Sequence, residues 1–122
     1  MDTNLLLAYR LLYFAYALLP IAAGIDKFFF NIGAWDVYIN KAIPTYLNMS
    51  MLSFLHYFGV TEIIVGLIVL WAPSIGGLLV TLGLLLLAFN VLSTGHHWDV
   101  AVRDIVLTAG SISLVLLSQE FK

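Results

Sequence analysis

Four stretches of the chain are almost entirely hydrophobic, and the polar residues are grouped between them. The apolar stretches cover about residues 5–25, 52–71, 75–92 and 100–117. An α-helix needs roughly 20 consecutive apolar residues to cross the hydrocarbon core of a bilayer, which is about 30 Å thick. Each stretch is close to that length, so the pattern predicts four membrane-spanning helices.

The connection between the first two spans, about residues 26–50, is the longest and is unusually aromatic. Its rings belong to Phe28, Phe29, Phe30, Trp35, Tyr38 and Tyr46. Aromatic rings with polar edges favour the headgroup level of a membrane, so we predict a short interfacial helix at about Ala34 to Ile43. It would anchor the chain at the membrane surface or cover an internal site. The expected fold is an all-α, integral membrane four-helix bundle forming one domain over residues 1–122.

The second span carries an acid, Glu62, near its middle. Gly59 lies three residues before it and Gly66 four residues after it, so all three share one helical face. Small residues let a second helix approach closely, and a carboxylate in hydrocarbon is costly unless it is protonated or paired. Glu62 is therefore predicted to face the bundle interior, either as a packing residue or in a proton, quinone or substrate role.

The first span contains a cation, Arg10, that shares a seven-residue spacing with Ala17 and Gly24. This spacing predicts that Arg10 faces the bundle, where an ion pair with Glu62 would solve the burial problem of both charges. The alternative is that Arg10 extends to the nearby interface, because it lies only a few residues into the span.

The third and fourth spans also have small or polar faces. In the third span, small or amide residues recur at seven-residue spacing: Gly76, Gly83 and Asn90. The fourth span opens with Arg103 and Asp104, and its polar residues are spaced i, i+4 and i+7: Asp104, Thr108 and Ser111. The spacings predict a second small-residue seam and a polar stripe, both facing a slightly polar bundle centre.

The histidines are all predicted at one end of the bundle. His56 lies about one turn into the second span, and His96, His97 and Trp98 lie between the third and fourth spans. Imidazoles from different helices can ligate haem iron or contact a quinone carbonyl or a lipid headgroup. The spacing matches no known haem signature, and an aromatic interfacial loop is the alternative. No metal site is predicted.

Composition narrows the class of protein. Of the 122 residues, 62% are hydrophobic and 10% are charged, which is typical of an integral membrane protein. The net charge of −2, without a basic block, excludes a nucleic-acid-binding role. The chain has no cysteine, which excludes disulfides and thiol redox chemistry of its own. Arg10 within the first apolar run favours a retained span over a signal peptide.

Three segments together resemble the DoxX family of small four-helix membrane proteins: LLAYRLLYFAYALLPIAAGIDKFF, FGVTEIIVGLIVLW and HHWDVAVRDIVLTAGSISLVLL. The family shows an early arginine in the first span, here Arg10, and a Gly-x-x-Lys near its end, here Gly24 to Lys27. It also shows a glutamate in a Gly-flanked second span, here Glu62, and an Arg-Asp opening of the last, here Arg103 and Asp104. We predict that these charged residues within the membrane are structural or proton-active.

The resemblance also implies a role beside membrane redox enzymes. DoxX-like proteins are linked to electron-transfer complexes, including a quinone-reducing thiosulfate oxidoreductase and oxidant-defence assemblies. We therefore expect a multi-pass protein of the bacterial inner membrane that contacts lipids and the subunits of a redox complex, and that has no catalytic activity on its own.

No strong motif in the chain holds a cofactor, so quinone, lipid and haem stay open as ligands. Two other functions also stay open. One is a small proton-coupled carrier that uses Glu62. The other is an oxidoreductase subunit acting on quinone or lipid headgroups at the histidine-rich end.

Overall fold

The computed structural model describes residues 3–31 and 34–121, and within them the chain is helical without strands. Its four long helices are α1 (Thr3–Asp26), α3 (Met51–Trp71), α4 (Pro73–Ser93) and α5 (Trp98–Ser118). Between α1 and α3 lie a 3₁₀ helix (Trp35–Tyr38) and the short α2 (Ala42–Tyr46). The bounds of the long helices agree closely with the predicted spans, which confirms the prediction of four long apolar helices.

All four long helices are long and apolar enough to cross a membrane, which indicates a multi-pass membrane protein. Large hydrophobic side chains cover the outside of the bundle: Leu11 is 73% exposed, Phe89 78% and Leu116 65%. A bundle surrounded by water would present polar residues on these outer faces. The exterior is thus suited to lipid or to another apolar protein surface.

The long helices pack as two close pairs. α1 packs chiefly against α3 and α4 chiefly against α5, while contacts of α3 with α4 and of α1 with α5 close the bundle. The buried apolar core draws on all four: Tyr16, Ala17, Val69, Val80, Leu84 and Leu114. Successive long helices run antiparallel, so Lys27, Ser50, Ser93 and Trp98 lie toward one end, which we call the capped end.

The connection between α1 and α3 differs from the predicted single helix at Ala34 to Ile43. Ile39 is extended and separates the 3₁₀ helix from α2. The next residue, Asn40, accepts a hydrogen bond from Ala42 N through its side chain (3.0 Å) and donates its own backbone N–H to Asn90 on α4 (2.8 Å). These bonds replace those of a continuous helix. Positions 32 and 33 of the connection lie outside the described residues.

Candidate functional site: a buried ion pair between α1 and α3

The α1 and α3 backbones touch along a line of small residues. A Cβ atom added to Gly59 would lie 2.7 Å from the Gly24 carbonyl oxygen, and one added to Gly66 would lie 2.6 Å from the Ala17 carbonyl oxygen. Both distances are shorter than any ordinary carbon–oxygen contact, so only glycine fits at these positions on α3. Gly59 and Gly66 therefore bring α1 close to the face of α3 that carries Glu62. This agrees with the prediction that the three residues share a face against which another helix packs.

Glu62 forms an ion pair with Lys27, through Glu62 Oε1 and Lys27 Nζ. Lys27 follows the last residue of α1, and its side chain is 3% exposed, against 15% for that of Glu62. A Cβ atom on Gly59 would lie 3.2 Å from Lys27 Cβ, so the glycine also makes room for the lysine. The two opposite charges compensate each other in surroundings where either one alone would be strongly destabilising.

Two aromatic rings complete the surroundings of the ammonium group. Lys27 Nζ lies 3.9 Å from the ring centroid of Trp35 and 5.3 Å from that of Phe58. Both distances are within the range of a cation–π attraction. The cation is thus held by α3 through Glu62 and Phe58. It is also held through Trp35 by the chain between α1 and α3, which we call the connecting segment.

Asp26, the last residue of α1, fixes the position of that segment. It is 4% exposed, and its carboxylate accepts hydrogen bonds from Trp35 Nε1 and from Asn31 N, both at 2.8 Å. These bonds orient the indole so that its face meets Lys27. Sequence reasoning did not single out Asp26 or Trp35 as site residues. An acid and a lysine side by side at the end of an apolar helix were the available signal, but no spacing rule connects them to a tryptophan in a loop.

Of the two possibilities left open for Arg10, the ion pair with Glu62 is wrong, because Lys27 occupies that position. Arg10 is exposed, so the prediction that it faces the bundle is also wrong, whereas Ala17 and Gly24 are buried. Arg10 is fourteen residues from Gly24, or roughly 21 Å along a helix, while Gly24 packs directly against Glu62. A seven-residue spacing also drifts around a straight helix by about 20° per repeat.

The predicted polar stripe of α5 is buried at all three positions: Asp104 (4% exposed), Thr108 (8%) and Ser111 (0%). Ser111 Oγ shares a hydrogen bond with Thr81 Oγ1 of α4 at 2.6 Å. Arg103 Nη2 lies 3.2 Å from Asp104 Oδ1, but the Arg103 side chain is 62% exposed, whereas the Asp104 side chain taken alone is 6% exposed. Arg103 thus reaches inward from the surface, and the stripe connects α5 to its neighbour through hydroxyl groups.

The small-residue seam predicted on α4 is present only in part. A Cβ atom on Gly76 would lie 2.5 Å from Val69 N, and Asn90 binds the connecting segment through Asn40 N (2.8 Å) and the Tyr38 carbonyl oxygen (2.7 Å). For Gly83, no heavy atom of the described residues outside its own stretch of helix lies within 4 Å of an added Cβ atom, so the prediction is wrong there. Its spacing from Gly76 matches, but none of the residues that the structure describes packs closely against this position of α4.

The histidines contact different aromatic residues at the capped end. His56 stacks on Phe28 with ring centroids 4.5 Å apart, beside a shallow surface groove. His97 and Tyr38 form a T-shaped ring pair with centroids 4.8 Å apart, and His96, His97 and Trp98 are all exposed. In the part of the chain that the structure describes, no three potential ligands among His, Asp and Glu come together around a metal position. Haem, quinone and headgroup contacts at these residues stay predictions.

The fold and the site define a class: a multi-pass helical membrane protein in which Lys27, just after the end of α1, forms a buried, internally compensated ion pair with Glu62 in the middle of α3. Comparisons of the chain with protein-family models, curated proteins and solved structures find no match. The DoxX resemblance therefore stays a prediction that rests on the motifs of the sequence.

Proposed function

We propose that the chain is a non-catalytic accessory or scaffold subunit of a larger membrane electron-transfer complex. The observation that carries this proposal is the ion pair between Lys27 and Glu62. The intramembrane acid is the residue best suited to proton or substrate chemistry, and it is already compensated by a cation of the same chain. Its part in the molecule is to hold α1 on α3.

The packing around the pair supports a structural role. Gly24 and Gly59 bring the two helix backbones into contact beside it, and Gly66 does the same one heptad further along α3. A carrier must open a path to its acid from alternate sides of the membrane. A path toward the end opposite the capped end would have to separate Gly66 from the Ala17 backbone, so this acid is poorly placed for alternating access.

The exterior supports an assembly role. Exposed apolar side chains, such as those of Leu11 and Phe89, cover the outer faces of the four long helices. The bundle therefore offers wide surfaces to lipid and to other membrane subunits. The resemblance to DoxX proteins supports a redox complex of the bacterial inner membrane as the assembly. In that complex His56, His96, His97 and Trp98 would lie where a quinone or lipid headgroup can reach them.

One observation favours the proton-coupled carrier as a second candidate. The side chain of Glu62 is 15% exposed while that of Lys27 is 3% exposed, so the carboxylate is the more accessible member of the pair. A cationic solute that replaced Lys27 would meet a carboxylate already placed to receive it.

Purification from the native membrane in a mild detergent tests the proposal. The tagged chain is isolated beside an unrelated multi-pass protein carrying the same tag, and both pools are examined by mass spectrometry and absorption spectroscopy. We expect specific co-purification with subunits that bear haem, flavin or iron–sulfur centres. A chain that runs alone and colourless contradicts the proposal, and loss of proton-coupled cation release in a folded Glu62→Gln variant would then establish the carrier.

A further inference from the structure

The ammonium group of Lys27 lies in a box formed by two aromatic rings and one carboxylate. Its nitrogen is 3.9 Å from the Trp35 ring centroid, 5.3 Å from that of Phe58, and paired with Glu62 Oε1. We propose that Trp35, Phe58 and Glu62 form a binding site for alkylammonium ions, and that Lys27 is the displaceable internal occupant of this site. The inference does not depend on the accessory role proposed above.

The chemistry of the box suits an alkylated ammonium better than a lysine. A lysine ammonium has three N–H donors and no acceptor. Within residues 3–31 and 34–121 its ion-pair partner is the Glu62 carboxylate, and the nitrogen also lies over the rings of Trp35 and Phe58. Aromatic faces attract positive charge but are weak hydrogen-bond acceptors. A cation whose surface consists of methyl groups keeps the attraction and needs no hydrogen-bond acceptor, which is how aromatic cages recognise choline-like ligands.

The charges around the box favour a cation. A second carboxylate, that of the buried Asp26, lies at the edge of the box beside that of Glu62. Asp26 also accepts the indole N–H of Trp35 at 2.8 Å. A carboxylate bound to the N–H edge polarises the ring and adds negative character to the face that the cation meets.

A ligand could enter without separation of the long helices. Trp35 belongs to the four-residue 3₁₀ helix in the connection, and it is only half-buried. Its side-chain hydrogen bond goes to Asp26, the last residue of α1. A local movement of this short element would uncover the ring face and the Glu62 carboxylate, while the glycine contacts between α1 and α3 stay in place.

The test uses Trp35 as a reporter in the full chain. Trp71 and Trp98 are 81% and 62% exposed, so a Trp71→Phe/Trp98→Phe background leaves Trp35 as the only indole. Choline chloride is titrated in non-ionic detergent at constant ionic strength while Trp35 emission is recorded. The neutral isostere 3,3-dimethylbutan-1-ol is the ligand control. The background is compared with the same chain carrying Lys27→Ala, and carrying Lys27→Ala together with Glu62→Gln.

We expect a saturable response to choline that is at least about tenfold tighter with Lys27→Ala, because the site no longer has to expel its occupant. The neutral alcohol should give no such response, and Glu62→Gln should abolish that of choline. The proposal is overturned if a folded Lys27→Ala chain shows no emission change with choline, or shows an equal change with the alcohol. If Lys27→Ala folds only when choline is present, the site is supported. If choline neither restores its folding nor gives a saturable response in the Lys27 background, the proposal fails.

The same chemistry is offered by free amines and by lipid headgroups, and bilayer discs separate the two sources. The Trp35-only chain is placed in discs of phosphatidylcholine or of phosphatidylglycerol, and its emission is recorded first without and then with free choline. An emission change specific to phosphatidylcholine assigns the cation to the lipid. A response that requires free choline in both lipids assigns it to a soluble ligand.

Discussion

The carbonyl oxygen of Gly24 lies 2.7 Å from the point where a side chain on Gly59 would begin. At this level α1 and α3 are in backbone contact, and nothing larger than a hydrogen atom fits between them on the α3 side. The contact places the end of α1 directly against the turn of α3 that carries Glu62. The ion pair of Lys27 and Glu62 therefore depends on Gly59, although Gly59 makes no contact with either charged group.

Gly59→Ala should destabilise the bundle by about 1–3 kcal/mol, because the added methyl group overpacks a backbone contact. Gly83→Ala is the matched control, since no other part of the chain that the structure describes lies within 4 Å of its Cβ position. It should be neutral or stabilising by up to about 1 kcal/mol through helix propensity. Unfolding of both variants by sodium dodecyl sulfate in mixed micelles measures the difference. Equal free energies of unfolding would show that the α1–α3 contact does not limit stability.

Tyr16 and Gly110 should be energetically coupled across α1 and α5. The Tyr16 hydroxyl donates to the Leu107 carbonyl oxygen at 2.7 Å, and a Cβ atom on Gly110 would lie 2.8 Å from Tyr16 Cζ and closer still to its hydroxyl. Tyr16→Phe should cost about 1 kcal/mol through the lost hydrogen bond. Gly110→Ala should cost about 1–3 kcal/mol in the native chain and less in Tyr16→Phe, which frees space.

The same micelle titration on the two single variants and the double variant measures this coupling. Purely additive losses would mean that the Tyr16 side chain does not occupy the space beside Gly110.

Asn90 should control how firmly the connecting segment is attached to α4. Its side chain accepts from Asn40 N and donates to the Tyr38 carbonyl oxygen, whereas Ser93 accepts only the exposed side-chain amide of Asn40 at 2.9 Å. Asn90→Ala should speed hydrogen exchange of the Asn40 amide roughly fivefold, which corresponds to about 1 kcal/mol. Ser93→Ala is the comparison and should change it little. The prediction is contradicted if both substitutions leave the exchange rate unchanged.

The long helices were predictable because each depends on one local property, a run of apolar residues near the length of a span. The glycine face around Glu62 was predictable for a similar reason, since helical periodicity places Gly59 and Gly66 on its side. Gly83 shows the limit of that argument. Its spacing from Gly76 is the same seven residues, yet whether a helix face has a neighbour depends on the crossing of two helices.

The partner of Glu62 could not be derived from spacing at all. Arg10 shares the predicted face of α1, but the level at which α1 and α3 meet puts Lys27 beside the acid. That level is set by which small residues face each other, a pairing that only the folded chain reveals. Trp35 reaches the site through a loop whose course depends on Asp26 and Asn40, and loop contacts of this kind leave no periodic trace.

The central claim is that Glu62 serves the packing of the bundle through its pair with Lys27. A double-mutant cycle of Lys27→Met and Glu62→Gln tests it most directly, with unfolding measured in mixed micelles and Arg10→Met as the control cation. Each single change at the pair should cost about 3–5 kcal/mol, because it leaves a buried charge without its partner. Arg10→Met should stay within about 0.5 kcal/mol, as an exposed side chain.

We expect the double variant to lose clearly less stability than the sum of the two single losses, because it removes both charges together. Additive losses at Lys27 and Glu62, or coupling of Glu62→Gln to Arg10→Met instead, would contradict the account.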